Sequence, residues 1–167
     1  MTAVQSPPES ALPQLLEANA RYAATFDLQA LDAPPRKRLA VVACMDARFD
    51  PARALGLEEG DAHVIRNAGG ILSRDALRSL VISHWQLGTR EALVVGHTDC
   101  GMVSFTNEQL RARVGEAAEA VDFLPFSDVR ARVAESVAEA VSSPLLPDGF
   151  MVHGFVYDVR TGLLEPV

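Results

Sequence analysis

The sequence contains one set of residues suited to binding a soft metal ion. Its only two cysteines are Cys44 and Cys100, and His97 lies three positions before the second. Zinc favours thiolate and imidazole ligands, and a catalytic zinc site uses three protein ligands while keeping a fourth position open. The three residues therefore indicate a zinc site. The alternative, two small buried cysteines and a turn histidine, stays open.

An acidic and a basic residue accompany the first cysteine. Asp46 and Arg48 follow Cys44 at alternate positions, and an extended chain projects alternate side chains to one side. An ordinary salt bridge would account for the pair, but two charges directly after a buried strand lose hydration that a surface pair keeps. We interpret Asp46 and Arg48 as functional residues.

Both groups follow segments that have the composition of buried strands. Residues 39–43 and 92–95 are apolar throughout, which is typical of strands covered on both faces of a parallel sheet. The carboxyl ends of parallel strands lie at one edge of an α/β sheet, where ligand sites form. After a further strand at 63–66, the paired glycines Gly69 and Gly70 allow the backbone to approach this site closely.

Helices and strands alternate along the rest of the chain. A strand hairpin is predicted from Gly149 to Leu164. Helices are predicted from Ser10, between Asp50 and Gly56, between Ser73 and Gly88, from Thr106 or Asn107 to Val121, and from Ser127 or Asp128 to Val141. This order predicts an α/β fold: a mostly parallel four-stranded sheet with an antiparallel C-terminal edge strand, flanked by helices.

The composition limits the kinds of partner. The length of 167 residues predicts a single domain, 1–167, with residues 1–9 as a loose N-terminal arm. The net charge of −7 gives no electrostatic reason to bind nucleic acid or an anionic membrane. No apolar run reaches the roughly 18 residues that span a bilayer, and the start lacks a signal-peptide core. We therefore expect a cytoplasmic protein with a small ligand, no nucleic acid or membrane partner, and free cysteines.

Other polar residues near the predicted site are weaker candidates. Asp99 lies between two proposed ligands and either orients their loop or faces water. Arg66 and Asn67 follow a strand, where they line the site or serve packing. The remaining histidines lie in predicted strands or on an apolar helix face and favour structural roles: His63, His84 and His153.

These motifs resemble the β-class carbonic anhydrases. The family signature, Cys-x-Asp-x-Arg and later His-x-x-Cys, is present as Cys-Met-Asp-Ala-Arg at 44–48 and His-Thr-Asp-Cys at 97–100. Segments 66–70 and 156–162 also look like family segments, so the resemblance runs from about residue 39 to the end. It implies a Rossmann-like fold and a homodimer or dimer of dimers.

The resemblance also implies an activity. It is the reversible hydration of carbon dioxide to bicarbonate by zinc-bound hydroxide, with Zn²⁺ held by Cys44, His97 and Cys100. The Asp46/Arg48 dyad would orient the hydroxide and gate the metal, and Asp46 would become the fourth ligand in a closed state.

Two further residues would lie beside the substrate, namely Asn67 and Gly101, the latter at a predicted helix start whose backbone N–H groups could receive substrate oxygens. The chain also departs from the family pattern. Residues 33–37 replace the Gln-x-Pro-Lys of many members, whose glutamine reaches the neighbouring subunit, and Ala47 replaces the usual serine. With these departures the chain resembles a short, divergent bacterial-type branch of the family.

Two other functions stay open on the same residues. One is hydrolysis of carbonyl sulfide or carbon disulfide, which some relatives in that branch perform. The other is a zinc-stabilised binding module without catalysis, in which a Cys2His site closed by Asp46 would serve as a structural cross-link.

Overall fold

A five-stranded sheet organises the computed structural model, which describes residues 10–167. The strand order is β2-β1-β3-β4-β5, with β1 to β4 parallel and β5 antiparallel to β4. The strands are β1 Leu39–Cys44, β2 Ala62–Asn67, β3 Glu91–His97, β4 Met151–Tyr157 and β5 Leu164–Pro166. The predicted parallel sheet of four strands with an antiparallel edge is confirmed. The predicted arm, residues 1–9, lies outside the described residues.

The centre of the sheet explains the apolar runs in the sequence. β1 lies between β2 and β3, and its residues 40–43 are wholly buried. Because side chains alternate along a strand, Ala40 and Val42 join the core on the face of Leu80, while Val41 and Ala43 pack with Phe49 on the other face. A strand covered on both faces needs apolar residues at every position.

Residues 10–167 contain five α-helices. They are α1 Leu12–Ala23, α2 Pro51–Leu55, α3 Arg74–Leu87, α4 Asn107–Val114 and α5 Val129–Val141. The predicted starts of α2, α3 and α5 are confirmed, since the side chains of Asp50, Ser73 and Asp128 accept hydrogen bonds from the first-turn N–H groups of these helices. Ser10 does not cap α1, whose N-cap is Ala11.

The helix predicted from 106 to 121 is wrong in its second half. α4 ends at Val114, because Gly115 adopts φ +92°, which an α-helix cannot accommodate. A three-residue 3-10 turn, Glu116–Ala118, follows in place of further helix.

The chain divides into two compact units, Met1–Asp32 and Ala33–Val167. The first contains α1, all of whose residues are exposed, including the apolar Leu12, Leu15 and Leu16. The second contains the sheet, the other four helices and the predicted site. The interpretation of residues 1–167 as one domain stays a prediction. Among residues 10–167, none of the helices has the length and apolar character needed to cross a membrane.

Candidate metal centre and active site

The two central strands bring the predicted metal ligands together. β1 and β3 are parallel neighbours whose register pairs Ala43 with Val95, so Cys44 and His97 leave the sheet at the same edge. The turn after β3 brings Cys100 back towards Cys44. The ligand atoms of Cys44, His97 and Cys100 all lie within 4.8 Å of one another, and all three residues are buried.

The histidine is oriented for binding a metal ion. His97 Nδ1 lies 2.8 Å from the carbonyl oxygen of Thr98, an arrangement in which Nδ1–H donates and Nε2 keeps its lone pair. His97 is wholly buried, and Nε2 has no hydrogen-bond partner among the described residues. A buried polar atom without a partner is unfavourable. A zinc ion beside the two sulfurs would satisfy it, so the donor set fits this metal.

The two thiols share a proton when no metal is bound. A hydrogen bond from Cys100 lowers the pKa of the Cys44 thiol to about 4, although burial opposes the shift. The same interaction, together with burial, raises the pKa of the Cys100 thiol above its usual range. The pair thus carries one negative charge, and Cys100 must lose its proton before both sulfurs can bind a metal.

The carboxylate beside the metal ligands is fixed by Arg48. Arg48 Nε donates to Asp46 Oδ1 at 3.0 Å and Nη2 donates to Oδ2 at 2.8 Å, forming a bidentate pair. These side-chain hydrogen bonds hold the pKa of Asp46 well below its usual range. Oδ2 also lies 3.7 Å from His97 Nε2. Asp46 therefore rests on Arg48 while one of its oxygens borders the metal position; the closed state with Asp46 on zinc stays a prediction.

Arg66 supports the loop that presents this pair. Its guanidinium donates to three backbone carbonyls, those of Cys44 at 2.9 Å, Asp46 at 2.8 Å and Phe49 at 2.9 Å. A guanidinium presents five N–H donors in a fixed planar arrangement, so one side chain can serve three acceptors at once. The role depends on β2 lying beside β1, an adjacency that residue types alone did not reveal.

The segment after β2 lies directly against the strand ends. Asn67 donates to the carbonyl of Ile71 at 2.8 Å and accepts from its N–H at 3.0 Å, so its amide closes this loop. A Cβ on Gly70 would lie 2.6 Å from Cys44 N and 2.8 Å from Val95 O. The predicted close approach of the paired glycines is confirmed.

Gly101 does not begin an α-helix. It opens a single 3-10 turn, Gly101–Val103, and the hydroxyl of Ser104 donates to its carbonyl at 2.7 Å. The predicted helix start at Gly101 is present only as this short 3-10 turn, and the α-helix α4 begins at Asn107. One short turn has little dipole for receiving substrate oxygens.

An apolar wall borders the sulfur atoms. Buried Cys44, Cys100 and Met102 form one cluster with partly buried Ala68, Phe105, Phe126 and Val129. Sequence reasoning missed Met102 and the two phenylalanines, because they lie in irregular segments without a periodic pattern. Such a wall favours a small substrate without charge.

Comparison with known proteins assigns the family. The family model described as carbonic anhydrase matches residues 39–122. Beta-carbonic anhydrase 1 of Mycobacterium tuberculosis is 43% identical over 152 residues, which span 89% of this chain and 93% of the relative. The chain belongs to the β-carbonic anhydrase family. Membership confirms the resemblance carried by residues 44–48 and 97–100, and with it zinc-dependent carbonic anhydrase activity.

Two further matches are a solved structure and a protein whose name gives a different activity. The crystal structure of carbonic anhydrase from Streptococcus mutans has a TM-score of 0.88 and 43% identity, covering 96% of this chain and 99% of that one. A protein named carbon disulfide hydrolase from Acidithiobacillus thiooxidans is 32% identical, covering 80% of this chain and 78% of its own.

Proposed function

We propose that the chain hydrates carbon dioxide reversibly to bicarbonate at the edge of the sheet where β1 and β3 end. The convergence of three ligand atoms within 4.8 Å, with the lone pair of His97 Nε2 unused beside Asp46, carries the proposal. Cys44, His97 and Cys100 would hold zinc. Bound there, zinc would supply a Lewis acid that makes water a nucleophile near neutral pH.

Asp46 orients the reacting water. Its depressed pKa keeps the carboxylate ionised at neutral pH, so it accepts hydrogen bonds and does not donate a proton. Oδ2 borders the metal position, where it would accept a hydrogen bond from the water. With this O–H bond directed at Asp46, a lone pair of the water would point towards the substrate carbon. A fixed acceptor lowers the barrier because the reacting atoms need no reorganisation.

Arg48 has two effects on this arrangement. Its fork holds both oxygens of Asp46, which fixes the plane of the carboxylate. Its positive charge also offsets the two thiolates, which would otherwise weaken the acidifying effect of the metal. The cluster around Met102 and Phe126 gives carbon dioxide an apolar surface next to the water.

Hydrolysis of carbon disulfide is the second candidate, favoured by the 32% identity to a protein of that name. Both reactions use the same nucleophile and differ in the substrate. Bicarbonate and sulfide production should be measured side by side on one zinc-analysed preparation. We expect carbon dioxide hydration to dominate; sulfide release from carbon disulfide at a higher kcat/KM would reverse the assignment. If the protein converts neither substrate, the zinc-stabilised binding module is the remaining candidate function.

We further propose a cytoplasmic homodimer or dimer of dimers. Free Cys44 and Cys100 suit a reducing compartment, which keeps thiols available for a metal. The exposed leucines of α1 support self-association, since burying them against a second copy would remove apolar surface from water.

A further inference from the structure

Asp99 has an unusual backbone conformation between the two metal ligands of its loop. Its φ is +55°, one of three positive values at non-glycine residues within 10–167. L-residues seldom adopt the left-handed region; aspartate and asparagine do so more readily than other side chains, and β-branched residues are strongly disfavoured. Neither the proposed reaction nor the metal site yet gives this residue a role.

The conformation presents the Asp99 carbonyl to Arg48. Arg48 Nη2 donates to Asp99 O at 3.1 Å and to Asp46 Oδ2 at 2.8 Å. The guanidinium therefore lies between the carboxylate of its own loop and a carbonyl of the loop that carries His97 and Cys100. Because the Arg48 side chain is 51% exposed, these hydrogen bonds fix its orientation more than burial does.

The carboxylate of Asp99 contributes less than the carbonyl. It lies 3.3 Å from Arg160 Nη2, but the two side chains are 51% and 79% exposed, and such pairs are strongly screened by water. The loop is held by other contacts as well: Thr98 N donates to Tyr157 O at 2.9 Å, and Val159 N donates to Thr98 Oγ1 at 3.1 Å.

We propose that Asp99 is a positioning residue for the Asp46/Arg48 dyad. The left-handed backbone of Asp99 directs its carbonyl at Arg48. The hydrogen bond to this carbonyl fixes the guanidinium in the orientation in which Arg48 donates two parallel hydrogen bonds to Asp46. The metal-ligand loop and the dyad are thereby coupled through one backbone atom. The proposal deepens the proposed function and rests on it for the kinetic part of the test.

The test compares substitutions that keep or disfavour the left-handed conformation. Asp99→Asn and Asp99→Gly keep it and remove the negative charge; Asp99→Ala and Asp99→Val disfavour it to increasing degrees. Arg160→Gln breaks the exposed ion pair alone and serves as the control. Each protein is assayed for zinc content, for kcat and KM, and for the ¹⁵N NMR signal of Arg48 Nε–H, assigned with Arg48→Lys.

We expect Asp99→Asn, Asp99→Gly and Arg160→Gln to keep kcat within about threefold, whereas Asp99→Val lowers it by roughly tenfold to a hundredfold at unchanged KM, because misplaced catalytic groups lose turnover. Asp99→Ala should lie between them. The Arg48 Nε–H signal should persist in the first group and broaden in Asp99→Val, with one zinc per chain throughout.

Three results would overturn the proposal. Equal loss in Asp99→Asn or Arg160→Gln would assign the effect to the carboxylate, and wild-type kcat with an unchanged Arg48 signal in Asp99→Val would show that the carbonyl positions nothing. Loss of zinc from Asp99→Ala or Asp99→Val would show that the conformation serves the metal ligands instead. The NMR signal needs no turnover, so it tests the positioning even if the proposed reaction fails.

Discussion

At the scale of single residues, the site combines a buried nitrogen with a proton-sharing pair of sulfurs. His97 Nε2 has no hydrogen-bond partner among the described residues, and the Cys44 and Cys100 thiols hold one negative charge between them. The types and spacing of these residues sufficed to predict the set, because few side chains bind zinc and no other cysteine exists in the chain.

Replacing either cysteine by serine should remove the metal. Cys44→Ser and Cys100→Ser each exchange a thiolate for a hydroxyl that stays protonated at neutral pH and binds zinc weakly. We expect elemental analysis to give well under one zinc per chain in both variants. His153→Gln, which changes a half-exposed histidine paired with Glu91, should keep the metal. Stoichiometric zinc in both serine variants would refute the ligand assignment.

Zinc affinity should weaken as pH falls. The raised pKa of Cys100 means that the metal-free protein keeps this proton at neutral pH, and the proton must leave on binding. Lower pH favours the protonated, metal-free form, so the dissociation constant should rise steadily from about pH 8 to pH 6. Competition with a chromophoric chelator measures it. An affinity independent of pH over that range would show that both thiols are already ionised.

At the scale of elements, the strand ends and the loop after β2 create the site. The apolar composition of β1 and β3 predicted buried parallel strands, but the order of the strands, which places Arg66 beside the dyad loop, depends on tertiary packing. Likewise the end of α4 at Val114 follows from Gly115 adopting a positive φ, which its alanine-rich surroundings did not reveal.

Gly56 and Gly70 have the same φ but different surroundings, so alanine variants at the two positions distinguish the cost of the backbone conformation from the cost of a steric clash. Gly70 and Gly56 both have φ +63°, but a Cβ at Gly56 meets nothing within 4 Å, while at Gly70 it overlaps Cys44 N and Val95 O. Gly56→Ala should lower the free energy of unfolding by about 1–2 kcal/mol, the usual left-handed cost. Gly70→Ala should cost at least about 2 kcal/mol more, because a packed backbone resists displacement.

Urea unfolding of zinc-loaded protein measures both variants. Equal losses at the two positions would show that the loop carrying Gly70 can shift away from the strand ends without cost.

At the scale of the whole molecule, the exposed leucines of α1 are the apolar surface on which the proposed dimer rests. We expect light scattering to give at least about twice the chain mass of 18.0 kDa at micromolar concentration. Leu16→Asp should weaken association, because it places a charge among the exposed leucines of α1, and Glu17→Gln on the same helix should not. A wild-type monomer with full activity would contradict the proposed dimer.

The dependence of turnover on zinc tests the central claim most directly. Metal-free protein is titrated with zinc, and carbon dioxide hydration is followed by stopped-flow at each occupancy. The account predicts a rate that rises in proportion to bound zinc and reaches its limit at one zinc per chain, held by Cys44, His97 and Cys100. Protein that contains one zinc per chain and hydrates carbon dioxide no faster than buffer would contradict it.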